Sequence, residues 1–367
     1  MSRALRQRLF AAVFIPVISV ASGFVVAGLA VVVTGSDPIA AFTALFQGAF
    51  TNPRAFPETL VAMIPYIFLG LAVALGFRAG LFNIGAEGQF YLGAIFGVLA
   101  GNSLHGVPGI VQIPLALAFG MLGGFIWAAV PGLLKARFGA HEVITTIMLN
   151  YIAFQLTDFL INKGPMSDKH STAPRTPFID PGAQLPIIIS GTRLHLGLIL
   201  ALLAVPIVWF LVQRTTIGFR IRMVGFSQGA ARAAGISVAW TLVITMGISG
   251  ALAGLAGADE ILGVSHYMPS SFSVGYGFDS IAVALLARSN PWAILPSAFL
   301  FGAMRNGAAF MQFQTQVSSD LISIVQAIVI MFVAAPVMVR WIFRLREVPV
   351  GGIQITQRET AGVTRET

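Results

Sequence analysis

Apolar runs of about 20 residues, long enough to cross a bilayer as a helix, recur along the whole chain. They fall near 9–33, 57–77, 81–101, 110–134, 143–162, 195–213, 239–262, 276–290, 292–312 and 319–341. The pattern predicts an all-α fold, a polytopic membrane helical bundle of about ten transmembrane helices. Polar connections separate the runs. The longest, Lys163–Leu194, is rich in Pro, Ser and Thr, and either caps the outer face or is inert. Pro38–Phe50 sets Ile39, Phe42, Leu45, Phe46 and Phe50 at helical spacing, which predicts a helix lying flat on the outer surface. Residues 349–367 are polar and lack a period, so a disordered cytoplasmic tail is expected.

Charge orients the bundle. Of 22 Lys and Arg, sixteen fall in segments on the side of Arg78, Lys135, Arg214 and Arg340. Five (Arg54, Lys163, Lys169, Arg175 and Arg193) fall in the alternate loops, and Arg305 lies inside a run. The positive-inside rule then places both termini in the cytoplasm. One transmembrane domain over 1–348 is expected, with 163–194 external and 214–238 cytoplasmic. Leu9–Val33 is too long for a signal-peptide core and lacks an A-x-A site, so it reads as a retained first span.

Composition agrees: 56% of residues are hydrophobic and 10% charged, against roughly 25% charged in soluble domains. The net charge of +8 is spread between the runs, which argues against nucleic acid as a partner. With no Cys there are no disulfides, thiolate nucleophiles or Cys-ligated metals. No G-x-x-x-x-G-K-[ST] is present, so no Walker A loop binds ATP. His141-Glu142 begins an H-E-x-x-H motif, but Thr145 occupies the second His position. Gly275 and Gly277 open a G-x-G whose third glycine is replaced by Ser280. A transport subunit fits better than an enzyme, and no metal site is expected.

Four polar constellations interrupt the apolar pattern. In Gly80–Gly101, Asn83, Glu87 and Gln89 sit among Gly80, Gly85 and Gly88. An ionisable residue at mid-bilayer costs at least ~2.5 kcal/mol, so a broken helix lining a polar path is expected, with Glu87 either in that path or paired within the protein. Glu142, Thr145, Thr146 and Asn150 form a stripe on one helix. Inter-helix hydrogen bonding is expected of Thr145 and Thr146, and a place in the path of Asn150. The Arg214–Ser237 loop holds four Arg and no acid, with hinge-like Gly218 and Gly225 and a short helix over Gln228–Ala234 ending at Gly235. Gly275–Pro291 carries Asp279 just inside an apolar run and echoes the Glu87 segment, which points to internal repeats meeting at a central path. Two G-x-x-x-G pairs, Gly120/Gly124 and Gly250/Gly254, predict close helix packing.

FRAGLFNIGAEGQFYLGA, HEVITTIMLNYIA, GFRIRMVG with AARAAGIS, and GFDSIAVALLARSNP together resemble the permease subunit of bacterial ABC importers, in the nucleoside and simple-sugar group related to ribose and branched-chain amino-acid permeases. The likeness runs from about Pro38 to Met338. It implies a bacterial inner-membrane permease paired with a second permease, on cytoplasmic ABC ATPases that bind the ATP and Mg, and fed by an external solute-binding lipoprotein. This chain would hold no cofactor. The resemblance places Gly218, Arg220, Arg222, Gly225, Ala230, Ala231, Gly235 and Ile236 in the ATPase-coupling loop. It places Asn83, Gly85, Glu87, Gly88 and Gln89 along the path. Phe226-Ser227-Gln228 stands where relatives often carry an Asn-Pro-like turn. Nucleosides fit the likeness best, with ribose-like sugars second. The alternative is a secondary transporter or channel driven by an ion gradient, with Glu87 and Asp279 as proton carriers.

Overall fold

The computed structural model describes residues 21–29, 31–33, 35–51, 53–103, 106–270, 272, 275–315, 324 and 327–328. Most of the predicted 319–341 run and all of the 349–367 tail lie outside the described residues. The 9–33 run is described only from Ala21.

Helices dominate the described residues, in the order α1 (Pro38–Phe46), α2 (Ala55–Arg78), α3 (Ala86–Ser103), α4 (Gly109–Phe138), α5 (Glu142–Asn162), α6 (Gly197–Arg214), α7 (Thr216–Phe226), α8 (Gln228–Ala233), α9 (Val238–Glu260), α10 (Tyr276–Leu286) and α11 (Pro291–Thr315). Among the described residues, α2, α4, α5, α6 and α9 with its π-helical extension to Ser265 are long and apolar enough to span a membrane. The fold is thus an all-α, membrane-embedded bundle. The run expected at 276–290 contains only eleven helical residues, about half a membrane crossing at 1.5 Å per residue.

Burial sorts the spans. In α2, 83% of the apolar window is buried inside the protein, against 28% in α5. A helix apolar on all sides belongs at a core or in lipid, so α2 is the central post and α5 turns most of its surface outward. The two G-x-x-x-G pairs meet one another: a Cβ on Gly124 would strike the Gly250 carbonyl, and one on Gly254 the Gly120 carbonyl. Gly93 of α3 packs against the backbone of Gly254 in the same way. Three helices therefore approach backbone to backbone, a distance that only glycine permits.

Two local expectations are corrected. Thr145 and Thr146 do not bond between helices. Their hydroxyls return to their own backbone, Thr146 to the Glu142 carbonyl at 2.7 Å and Thr145 to the same carbonyl at 3.1 Å, as hydroxyls on a helix readily do. Gly218 and Gly225 are no hinges but helical residues of α7, chosen for close approach. A Cβ on Gly218 would strike the Leu211 and Val212 carbonyls, and one on Gly225 the Arg78 carbonyl.

Helix α1 buries its small face, Ala41, Ala44 and Leu45, and leaves Ile39 and Phe46 exposed. The 163–194 segment packs against the chain after α9: Thr176 N donates to Met268 O at 2.9 Å, Ile179 N to His266 O at 2.8 Å, and Leu185 N to Leu262 O at 2.8 Å.

Candidate translocation path and docking loop

Helix α2 ends where Gly80 adopts a left-handed φ of 72° and Leu81 N donates back to Gly76 O at 3.0 Å, a glycine-dependent helix stop. The backbone then runs non-helically until α3 begins at Ala86. Such a break leaves N–H and C=O groups that only protein or cavity water can satisfy at membrane depth. Side chains do much of this. Asn83 Oδ1 accepts from Gly85 N at 3.1 Å. Asn150 of α5 spans the break, with Oδ1 accepting from Gly88 N at 2.9 Å and Nδ2 donating to Ile84 O at 3.0 Å.

Asn83 and Gln89 also pair amide to amide, at 2.9 and 3.0 Å. Asn83 Nδ2 donates to Ser249 Oγ of α9 at 2.9 Å, and Ser249 donates to Ala72 O of α2 at 2.6 Å. All four side chains, Asn83, Glu87, Gln89 and Asn150, are buried. Glu87 accepts a short hydrogen bond from the Gly277 N–H at the start of α10. A carboxylate there also opposes the positive end of the helix dipole. Gly277 fits directly against the Glu87 backbone, so the two interrupted segments meet as their sequence echo suggests.

Asp279 lies two residues further along α10 and accepts from the Tyr66 hydroxyl at 2.9 Å. The same hydroxyl accepts from Arg305 at 3.2 Å, and Arg305 stands 3.8 Å from the Asp279 carboxylate. Sequence reasoning noticed Arg305 as a charge inside a run and gave it no role. Tyr66 offered no signal, because its partners are 213 and 239 positions away.

Residues 214–237 gather at the foot of α2. Thr215 caps α7 by accepting from Gly218 N at 3.1 Å, and Ser227 caps α8 by accepting from Ala230 N at 3.2 Å. Gly235 closes α8 with φ 76°, as its position after QGAARAA implied. Gly218 and Ala231 are buried, Ile236 is half-buried, and Arg220, Gly225, Ala230 and Gly235 are exposed. Arg222 is engaged internally and donates to the Val212 carbonyl at the end of α6. Phe226 is 87% exposed, an apolar ring presented beside the capped helices. Gly225 rests on the Arg78–Ala79 backbone, and Arg78 donates to Ser289 O beyond α10 at 3.1 and 2.9 Å. The 214–237 segment and both interrupted segments thus share one foothold.

At the other end of the bundle, His195 is fully buried and accepts from Gly197 N at 3.1 Å.

A family model described as the branched-chain amino acid transport system permease component matches residues 56–334. The chain belongs to that permease family. The permease is 41% identical over 337 residues to the guanosine ABC transporter permease protein NupP of Bacillus subtilis, covering 89% of this chain and 94% of that one. It is 35% identical over 332 residues to the nucleoside ABC transporter permease protein NupB of Lactococcus lactis, covering 88% and 90%. A third relative, the glucose ABC transporter permease protein TsgB13 of Haloferax volcanii, is 32% identical over 327 residues, covering 86% of each chain. The permease is therefore a multi-pass subunit of an ABC importer, related to nucleoside and sugar uptake systems and not an enzyme. Family membership removes the ion-gradient alternative.

Proposed function

We propose that this permease forms the translocation path for nucleosides, or related ribose-like solutes, in an importer driven by partner ATPases. One observation supports it above the others: Gly225 of the docking loop sits on the Arg78–Ala79 backbone, immediately before the break that carries Asn83, Glu87 and Gln89. An ATPase that moved the loop would push on the foot of α2. From there Glu87 reaches Gly277 and the Asp279 half-helix. In this reading Asn83, Gln89 and Asn150 hold the wall of the path, Glu87 positions α10, and Asp279 faces the solute.

The arrangement within the membrane follows the sequence: one transmembrane domain over 1–348 with ten crossings, both termini cytoplasmic, and two repeats centred on the Glu87 and Asp279 segments. Residues 214–238 receive the ATPase, 163–194 form an external cap, and 349–367 are a polar tail. A second, homologous permease completes the path, and an external lipoprotein delivers the solute. The likeness to permeases named for guanosine, nucleosides and glucose supports a solute with a sugar ring. The test is binding-protein-dependent uptake of radiolabelled guanosine and uridine by proteoliposomes of the whole importer. Uptake is expected with this chain present and lost without it; ATP hydrolysis with no nucleoside uptake in the complete assembly overturns the reading.

A further inference from the structure

Tyr66 stands eleven residues after Ala55 and twelve before Arg78, at the centre of α2, and Arg305 lies in the middle part of α11. Together with Asp279 they place two charges at mid-membrane. The charges do not close on each other. Their 3.8 Å separation is longer than a hydrogen bond, and each side chain keeps 21% of its surface exposed. A guanidinium has five N–H donors and a carboxylate two acceptor oxygens. Among the described residues Arg305 donates to the Tyr66 hydroxyl and lies against the Tyr276 ring, and Oδ2 of Asp279 accepts from Tyr66, so neither charged group is saturated by the other. Open charges at this depth are too costly against lipid and face protein or a water-filled path.

Beside this pair stands an aromatic wall. The Arg305 guanidinium lies 3.9 Å from the centre of the Tyr276 ring. Tyr276 adjoins Phe90 at 5.9 Å, and Phe90 stacks on Phe272 at 5.1 Å. Tyr276 and Phe272 are only half-buried. Guanidinium donors beside a carboxylate suit the vicinal hydroxyls of a ribose, and the partly exposed Tyr276 and Phe272 rings suit a planar heterocycle, which stacks on such rings whatever its identity.

We propose that Arg305 and Asp279, with Tyr276 and Phe272, form a mid-membrane contact station for a nucleoside. The charged pair takes the ribose hydroxyls and the aromatic wall takes the base. The station rests on the nucleoside-import reading and adds to it the residues that select the solute. Tyr66 is a positioning residue, which holds both charges apart through one hydroxyl.

The whole importer in proteoliposomes supplies the test, with radiolabelled guanosine, uridine and ribose as probes. Asp279→Asn and Arg305→Gln are each expected to lower nucleoside uptake about tenfold, the loss of one charge-assisted hydrogen bond. ATPase stimulation by the loaded binding protein stays within about twofold. Phe272→Leu is expected to slow guanosine and uridine while leaving any ribose uptake unchanged. The double variant is expected to stay as slow as the single ones; its recovery to wild-type uptake would mean a merely structural ion pair and overturn the station. If Arg305→Gln fails to hold its ATPase, Arg305→Lys keeps the charge without the planar fork, and wild-type uptake there overturns the station too. Wild-type liposomes that hydrolyse ATP without moving either nucleoside reject the import reading itself. Wild-type uptake matched by all the variants rejects the station alone.

Discussion

With one side chain on Ile84 O and Gly88 N, Asn150 satisfies a donor and an acceptor of the interrupted segment at once. Its replacement by Leu leaves both buried and unmatched, at about 1–3 kcal/mol for each group. Asn150→Leu is therefore expected to lower the thermal midpoint of the detergent-solubilised permease and to slow uptake; an unchanged midpoint would show that water satisfies the break instead. Glu87→Gln retains a carbonyl oxygen for the Gly277 N–H, so assembly is expected to persist with reduced transport, whereas Glu87→Leu loses both. Equal uptake in the two variants would deny Glu87 its part in placing α10.

Among the elements, α3, α4 and α9 meet through glycine with no side chain between them, so they have no flexible atom to yield. Gly254→Leu would drive its side chain toward the Gly120 carbonyl and the Gly124 backbone. Strain beyond the ~1–3 kcal/mol of ordinary overpacking is expected, seen as loss of the monodisperse peak in size-exclusion chromatography. A normal peak would mean that α4 and α9 can separate without cost. The elements proposed to receive the ATPase, α7 and α8, behave oppositely. Phe226 is almost wholly exposed, and Phe226→Ser should change the stability of the isolated permease by no more than about 0.5 kcal/mol. It should nevertheless weaken ATPase capture about tenfold, as truncating a buried aromatic anchor does at an interface. Full ATPase recovery in pull-down would leave the ring outside the contact.

For the molecule as a whole, the short path from Gly225 to Arg78, then through Glu87 to Gly277, predicts how hydrolysis and transport are linked. Gly225→Val would insert a branched side chain against the Arg78 carbonyl and shift the loop from its seat. Basal ATP hydrolysis is expected to continue while nucleoside uptake per ATP falls at least about tenfold; an unaltered ratio would mean that force enters elsewhere. Much of this design was legible in sequence. Apolar runs located eight helices to within about five residues, and five of these, among the described residues, are long and apolar enough to span a membrane. Gly80 and Gly85 marked the break before α3, and QGAARAA followed by Gly235 marked α8 and its end. What a periodicity reads poorly is the partner of a polar side chain. Thr145 and Thr146 share a stripe with Asn150, yet only Asn150 reaches another element, because a threonine hydroxyl is short enough to be satisfied by its own helix.

Chain order alone determined the all-α membrane class, the interrupted segments at Glu87 and Asp279, and the family-like strings around them. These depend on neighbours in sequence: hydropathy over one span, glycine at a helix end, basic residues between runs. Tertiary structure decided that Glu87 seats Gly277, that Gly225 rests on the foot of α2, and that Tyr66 holds Asp279 and Arg305 apart. Each is a contact between groups more than a hundred positions distant. Local propensity carries no record of such pairs; burial and hydrogen-bond satisfaction in the packed bundle select them.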